Sequence, residues 1–127
     1  MKKILLLDDD QLVRSTLARM LAGDGHHVLI AATMPEALEI CECEKPDVAV
    51  CDVMIPGTPP GSAIAALREL QPSLKILAVS ACGITDRGED MLDVAARMGA
   101  NQVLEKPFGR ADLAMALALT VGRPGDA

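Results

Sequence analysis

Six polar residues stand at the ends of short apolar runs: Asp8, Asp9 and Asp10 after Ile4–Leu7, Asp52 after Val48–Cys51, Ser80 after Ile76–Val79, and Lys106 just past Val103–Leu104. If those runs are parallel strands, their carboxyl ends form the edge where open α/β sheets bind ligands. Two carboxylates about 5 Å apart repel by about 3 kcal/mol at an effective dielectric near 20, and a third adds more. Such a site calls for a cation. Charged oxygen ligands that are few and partly open suit Mg²⁺, which keeps several waters and takes one or two carboxylates together with a phosphate oxygen. Lys106 offers a second positive charge on a flexible stem. An ion, an ammonium and the Ser80 hydroxyl together match the three equatorial oxygens of a phosphoryl group in transfer. Asp52 is then the in-line nucleophile.

The elements that must position these groups are legible in the hydrophobic pattern. Ile4–Leu7, Val28–Ala31, Val48–Cys51, Ile76–Val79 and Val103–Leu104 are nearly unbroken apolar runs, which read as parallel strands covered on both faces. Between them, helical spacing links Val13, Leu17, Met20 and Leu21; Leu38 and Cys41; Ile64, Leu67 and Leu70; Met91, Leu92, Ala95 and Met98; and Leu113, Leu117, Thr120 and Val121. Thr33-Met34-Pro35-Glu36 has the spacing of a capping box with proline early in the helix, and Ser62 is placed to cap the third helix. Gly23 and Gly25, Gly99 and Gly122 mark helix ends. Five strands alternating with five helices predict a three-layer, doubly wound α/β fold. At 127 residues this is one domain, expected over residues 1–121, with 122–127 as a tail or linker stub.

Composition narrows the partners. Twelve lysines and arginines against 18 acids give a net charge of −6, which repels phosphate backbones and anionic membranes. Phe108 is the sole aromatic residue, so stacking on bases is not expected. No run approaches a membrane span and Ile4–Leu7 is too short for a signal-peptide core, so the expected location is cytoplasmic. The four cysteines then read as reduced thiols, and the Cys41–Cys43 pair lacks the nearby ligands of a zinc site. The methionines at helical spacing read as core residues.

Four segments carry a family resemblance: Leu6-Leu7-Asp8-Asp9-Asp10, Pro46 through Gly57 around Asp52, Ala78-Val79-Ser80-Ala81, and Gly99 through Phe108 with Lys106-Pro107. In this order they resemble the receiver domain of bacterial response regulators across essentially the whole chain. The resemblance implies a flavodoxin-like strand order of 2-1-3-4-5. It implies that Asp52 accepts a phosphoryl group from a histidine kinase or a histidine phosphotransfer protein. Asp8, Asp9, Asp52 and the backbone carbonyl of Met54 would bind Mg²⁺, Ser80 would donate to the phosphoryl oxygens, and Lys106 would pair with them. A cis peptide at Lys106–Pro107 is also implied.

The chain departs from the family pattern in several places. Val103 stands where an aromatic switch residue is usual. The segment after Ser80, through Gly83, Asp86, Gly88, Glu89 and Asp90, is several residues longer than usual, and Thr58-Pro59-Pro60-Gly61 replaces an Asp-Gly turn. Met54 and Cys82 stand where polar groups often steer hydrolytic water, which predicts a long-lived phosphorylated form. The expected output is a protein-binding surface on helix 4, strand 5 and helix 5, with monomer or weak dimer formation through Met115 and Leu119. Three readings compete with a stand-alone phosphorylated switch. An aspartyl-nucleophile phosphatase or dehalogenase resembles D-x-D, but Met54 holds the second place. A flavodoxin-like electron carrier would meet three repelling aspartates after strand 1. A non-phosphorylated scaffold, or a receiver belonging to a larger kinase or transcription factor, keeps the fold.

Overall fold

A computed structural model describes residues 2–81 and 88–122. Five strands alternate with five helices: β1 (Lys3–Leu7), α1 (Gln11–Gly23), β2 (His27–Ala31), α2 (Met34–Glu44), β3 (Val48–Asp52), α3 (Ser62–Leu70), β4 (Lys75–Ala81), α4 (Met91–Arg97), β5 (Gln102–Lys106) and α5 (Arg110–Val121). All pairings are parallel, in the order β2-β1-β3-β4-β5. The Cys82 position, most of the long segment after Ser80, and the tail beyond Gly122 lie outside the described residues.

Alternation along the central strands sorts the apolar side chains into two cores. Leu5, Leu7, Ala49, Cys51, Ile76 and Ala78 meet Ala37 and Cys41 of α2, Ile64 and Leu67 of α3, and Val94 and Ala95 of α4. Ile4, Leu6, Val48, Val50, Leu77 and Val79 meet Leu17 and Leu21 of α1 and Leu113 and Leu117 of α5. Each buried Leu, Ile or Val contributes about 1.5–3 kcal/mol, so the sheet is fixed from both sides. The expected layers and strand order are both present. Coverage of every strand is not. β2 and β5 are the sheet edges, and Ile30 on β2 is 48% exposed although its run is as apolar as the central ones. A short apolar run carries no mark that separates an edge from a centre.

Helix ends follow local chemistry. The Asp10 carboxylate accepts from the Leu12 and Val13 N–H groups and caps α1, and Thr33 Oγ1 accepts from the Glu36 N–H to cap α2. Left-handed glycines at 25, 99 and 122 follow α1, α4 and α5 as expected. The expected Ser62 cap is absent. Gly61 occupies the cap position of α3 at φ 77°, and the Ser62 Oγ is buried with no hydrogen-bond partner among the described residues. The Thr58–Gly61 turn starts the helix at Ser62 itself, one residue earlier than a serine cap requires. A Cβ on Gly61 would come within 2.8 Å of Met98 Cγ and 3.1 Å of Val94 Cγ1, so this turn and α4 touch closely.

Candidate functional site

Sheet register brings the polar strand ends together. Leu7, the last residue of β1, pairs with Cys51, and Asp52 follows at the end of β3 beside Val79. On the other side Ser80 pairs with Glu105 and Ala81 with Lys106. Carboxylate oxygens of Asp8, Asp9 and Asp52 all lie within 4.8 Å of one another. Asp8 is 1% exposed and the Asp52 side chain 11%, whereas Asp9 faces solvent.

The three consecutive aspartates divide their work. Asp10 turns to α1 as its cap. Asp8 Oδ1 accepts from the Asp10 N–H at 2.9 Å, and Arg14 Nη1 donates to the Asp8 carbonyl at 2.9 Å. Among the described residues Asp8 Oδ2 has no hydrogen-bond partner, and Lys106 Nζ faces it 3.6 Å away. Asp52 Oδ1 accepts from the Met54 N–H at 3.1 Å, and its Oδ2 stands 3.5 Å from the same Lys106 Nζ. Two carboxylates therefore share one ammonium.

Burial raises the pKa of the Asp8 and Asp52 carboxyls above the usual carboxylate range. The Asp10 and Met54 N–H groups and the Lys106 charge pull the other way, and the neighbouring aspartate adds to the rise in each case. Ser80 is 1% exposed and its Oγ donates to the Ala81 carbonyl at 2.9 Å. The peptide joining Lys106 to Pro107 is cis.

Asp8, Asp9, Asp52, Ser80 and Lys106 all lie at this edge of the sheet, and Asp10 is diverted to α1. What the sequence did not disclose is the support. Arg14 is one helix residue among several, and only its position one turn into α1 hints that it reaches back to the Asp8 backbone. Cys41 and Cys51 are buried and Cys43 is exposed. Burial drives the Cys51 thiol pKa far up, with the charges of Asp52 and Asp8 next, so this sulfur is inert beneath the site. Met20, Met34, Met91 and Met98 pack against the cores, whereas Met115 on α5 is 69% and Met54 beyond β3 is 43% exposed.

A parallel five-stranded sheet with an acidic cluster and a lysine at its carboxyl edge defines the receiver class of α/β proteins. The chain belongs to the response regulator receiver domain family, whose model matches residues 4–118. It is 33% identical over 126 residues to the transcriptional regulatory protein PdtaR of Mycobacterium tuberculosis, covering 96% of this chain and 58% of that protein. Over 124 residues it is 32% identical to the KDP operon transcriptional regulatory protein KdpE of Escherichia coli, covering 97% and 52%. The chain thus spans roughly half the length of these relatives. Among solved structures, a chain described as a response regulator from Chloroflexus aurantiacus superposes with a TM-score of 0.83 at 30% identity, covering 96% of this chain and 98% of that one. A CheY-like receiver domain protein from Methanospirillum hungatei gives 0.80 at 26%, covering 92% and 90%. The chain is a signalling receiver domain of the two-component type. No helix among the described residues is long and apolar enough to cross a membrane.

Proposed function

We propose that this chain is a phosphoacceptor switch in which Asp52 takes a phosphoryl group from the phosphohistidine of a histidine kinase or histidine phosphotransfer protein. The observation that carries this reading is the pair of Oδ2 atoms on Asp8 and Asp52, buried or nearly so and facing a single ammonium at 3.6 and 3.5 Å. A buried carboxylate oxygen without a hydrogen bond is costly unless a charged ligand completes it.

The donor set fits Mg²⁺: oxygen ligands only, one of them orphaned, with the exposed Asp9 leaving one side open. Asp8, Asp9, Asp52 and the Met54 carbonyl would hold it. When bound, the ion supplies positive charge against the carboxylates and the phosphoryl oxygens.

The transfer is a substitution at phosphorus. An oxygen of the Asp52 carboxylate forms the new P–O bond while the P–N bond to the donor imidazole breaks, and the imidazole keeps the electron pair and takes a proton. Lys106 neutralises charge on the arriving group, and Ser80 gives up its Ala81 carbonyl to donate to a phosphoryl oxygen. The Met54 N–H holds the nucleophile's other oxygen in place. The product is a signalling state, not a released metabolite. With Val103 at the usual aromatic position, Ser80 reports through α4 and the segment that leads into it, and the output is a protein-binding surface on α4, β5 and α5. The acidic surface argues against direct contact with nucleic acid.

Incubation with acetyl phosphate and Mg²⁺, followed by intact mass, tests the reading. Wild type should gain one phosphoryl group and Asp52→Ala none. An unmodified wild type, or an equally modified variant, overturns it.

A further inference from the structure

The Arg68 side chain, in the last turn of α3, spends all five of its N–H donors on neutral acceptors. Nε and Nη2 donate to the Gly99 carbonyl at 3.2 and 2.8 Å. Nη2 also donates to Asn101 Oδ1 at 2.8 Å, and Nη1 to the carbonyls of Pro72, at 2.8 Å, and Leu74. No carboxylate among the described residues pairs with it. The planar fork of a guanidinium can hold several acceptors at once, which a lysine cannot do.

The acceptors belong to three pieces of chain: the turn from α3 into β4, the end of α4 and the entry to β5. Asn101 extends the tie, because its Oδ1 also takes the Ile76 N–H and its own N–H reaches the Ile76 carbonyl, each at 2.8 Å. Gly99, at φ 113°, lies so close that a Cβ there would come within 3.2 Å of Arg68 Cγ. A fixed cation also suits the negative end of the α4 dipole. At the N-terminal end of α4, Asp90 accepts from the Leu92 N–H, a bond within the helix and its own lead-in.

We propose that Arg68 is a positioning residue that pins the C-terminal end of α4 to α3 and the sheet. Displacement of α4 on phosphorylation is then confined to its N-terminal end and the segment before it. This rests on the receiver reading above, with α4 as the responding element.

Amide hydrogen exchange on the full chain, with and without beryllofluoride and Mg²⁺, tests it in two arms. In the resting state, Arg68→Gln and Arg68→Lys should each speed exchange at residues 98–101 and Ile76 by about fivefold or more while leaving β1 and β3 unchanged, since only local opening is affected. On beryllofluoride addition, wild type should change over 88–97 and hold 99–102 within about twofold, and the variants should let the change run through 99–102. Resting exchange unaltered in either folded variant, or a wild-type response as large at 99–102 as at 88–95, overturns the anchor. If Arg68→Gln fails to fold, Arg68→Lys decides. A wild type that neither responds to beryllofluoride nor gains mass from acetyl phosphate defeats the phosphoacceptor reading instead, and the resting arm still judges the anchor.

Discussion

The Oδ2 atoms of Asp8 and Asp52 share one ammonium, Lys106 Nζ, at 3.6 and 3.5 Å. Two elements far apart in sequence are held at close range by a charge from a third. The same ammonium that steadies the acids also competes with any divalent ion for them.

Replacing Lys106 should therefore have two opposite effects. Lys106→Ala should destabilise the ion-free protein by about 1–3 kcal/mol, because it leaves buried carboxylates without their partner. It should also tighten Mg²⁺ binding, measured by calorimetric titration. Weaker Mg²⁺ binding in the variant would show that the lysine assists the ion.

Burial first, and then the neighbouring acid, holds the folded pKa of Asp8 and Asp52 above the unfolded value of 3.8. A raised carboxylate pKa means that the native state binds protons more tightly than the unfolded chain. Their contribution in the absence of divalent ions is thus most favourable at acid pH and is lost as pH rises from about 4 through the folded values. Urea titrations in EDTA should show Asp52→Asn more stable than wild type at pH 7 by about 1–2 kcal/mol, the scale of partly screened carboxylate repulsion. The advantage should shrink towards pH 4. Saturating Mg²⁺ should narrow it by stabilising wild type more than the variant, which lacks one of the ligating carboxylates.

Ser62 and Thr33 should respond in opposite directions to removal of the hydroxyl. Thr33→Ala should cost about 1 kcal/mol, because its oxygen accepts from the Glu36 N–H. Ser62→Ala should be neutral or stabilising by up to about 1 kcal/mol, because its buried oxygen has no partner. A loss of about 1 kcal/mol in Ser62→Ala, read from chemical denaturation, would restore the capping role.

Two left-handed glycines make a controlled comparison. Gly57, at φ 81°, has nothing within 4 Å of a built Cβ, so Gly57→Ala carries only the backbone penalty of about 1 kcal/mol. Gly61→Ala adds a collision with Met98 and Val94 and should cost about 2–4 kcal/mol. Equal melting temperatures for the two variants would mean that α4 yields freely at this contact.

Met54 bears on the lifetime of the phosphorylated form. Its side chain is 43% exposed, two residues past Asp52, and has no group that orients water well. The phosphorylated protein should persist for minutes in Mg²⁺, and Met54→Asn should shorten that lifetime several-fold, well below the roughly 10²–10⁴ that positioned proton carriers supply. Decay of wild type within seconds would count against this role.

The chemistry-bearing residues were legible because a parallel sheet delivers whatever follows each strand to one edge. Asp8, Asp9, Asp52, Ser80 and Lys106 needed only the strand pattern to be grouped. The layering was legible from the apolar runs, but the exposure of Ile30 was not, since edge position depends on strand order and not on the run itself. Asp10 shows the same limit at closer range: three identical side chains in a row carry no sign of which turns to the helix and which to the site. The Ser62 cap failed because a proline-rich turn sets where α3 begins, and Arg68 was unreadable because its acceptors lie up to 33 residues away.

Val103 sits half-buried in β5, against α4 and the sheet. A β-branched side chain there has few torsional alternatives, so this strip keeps a constant contour whether or not the distant acid is modified. On the phosphoacceptor reading proposed above, a binding protein would sense the N-terminal end of α4 moving against a fixed ridge, not a gate that opens in the ridge.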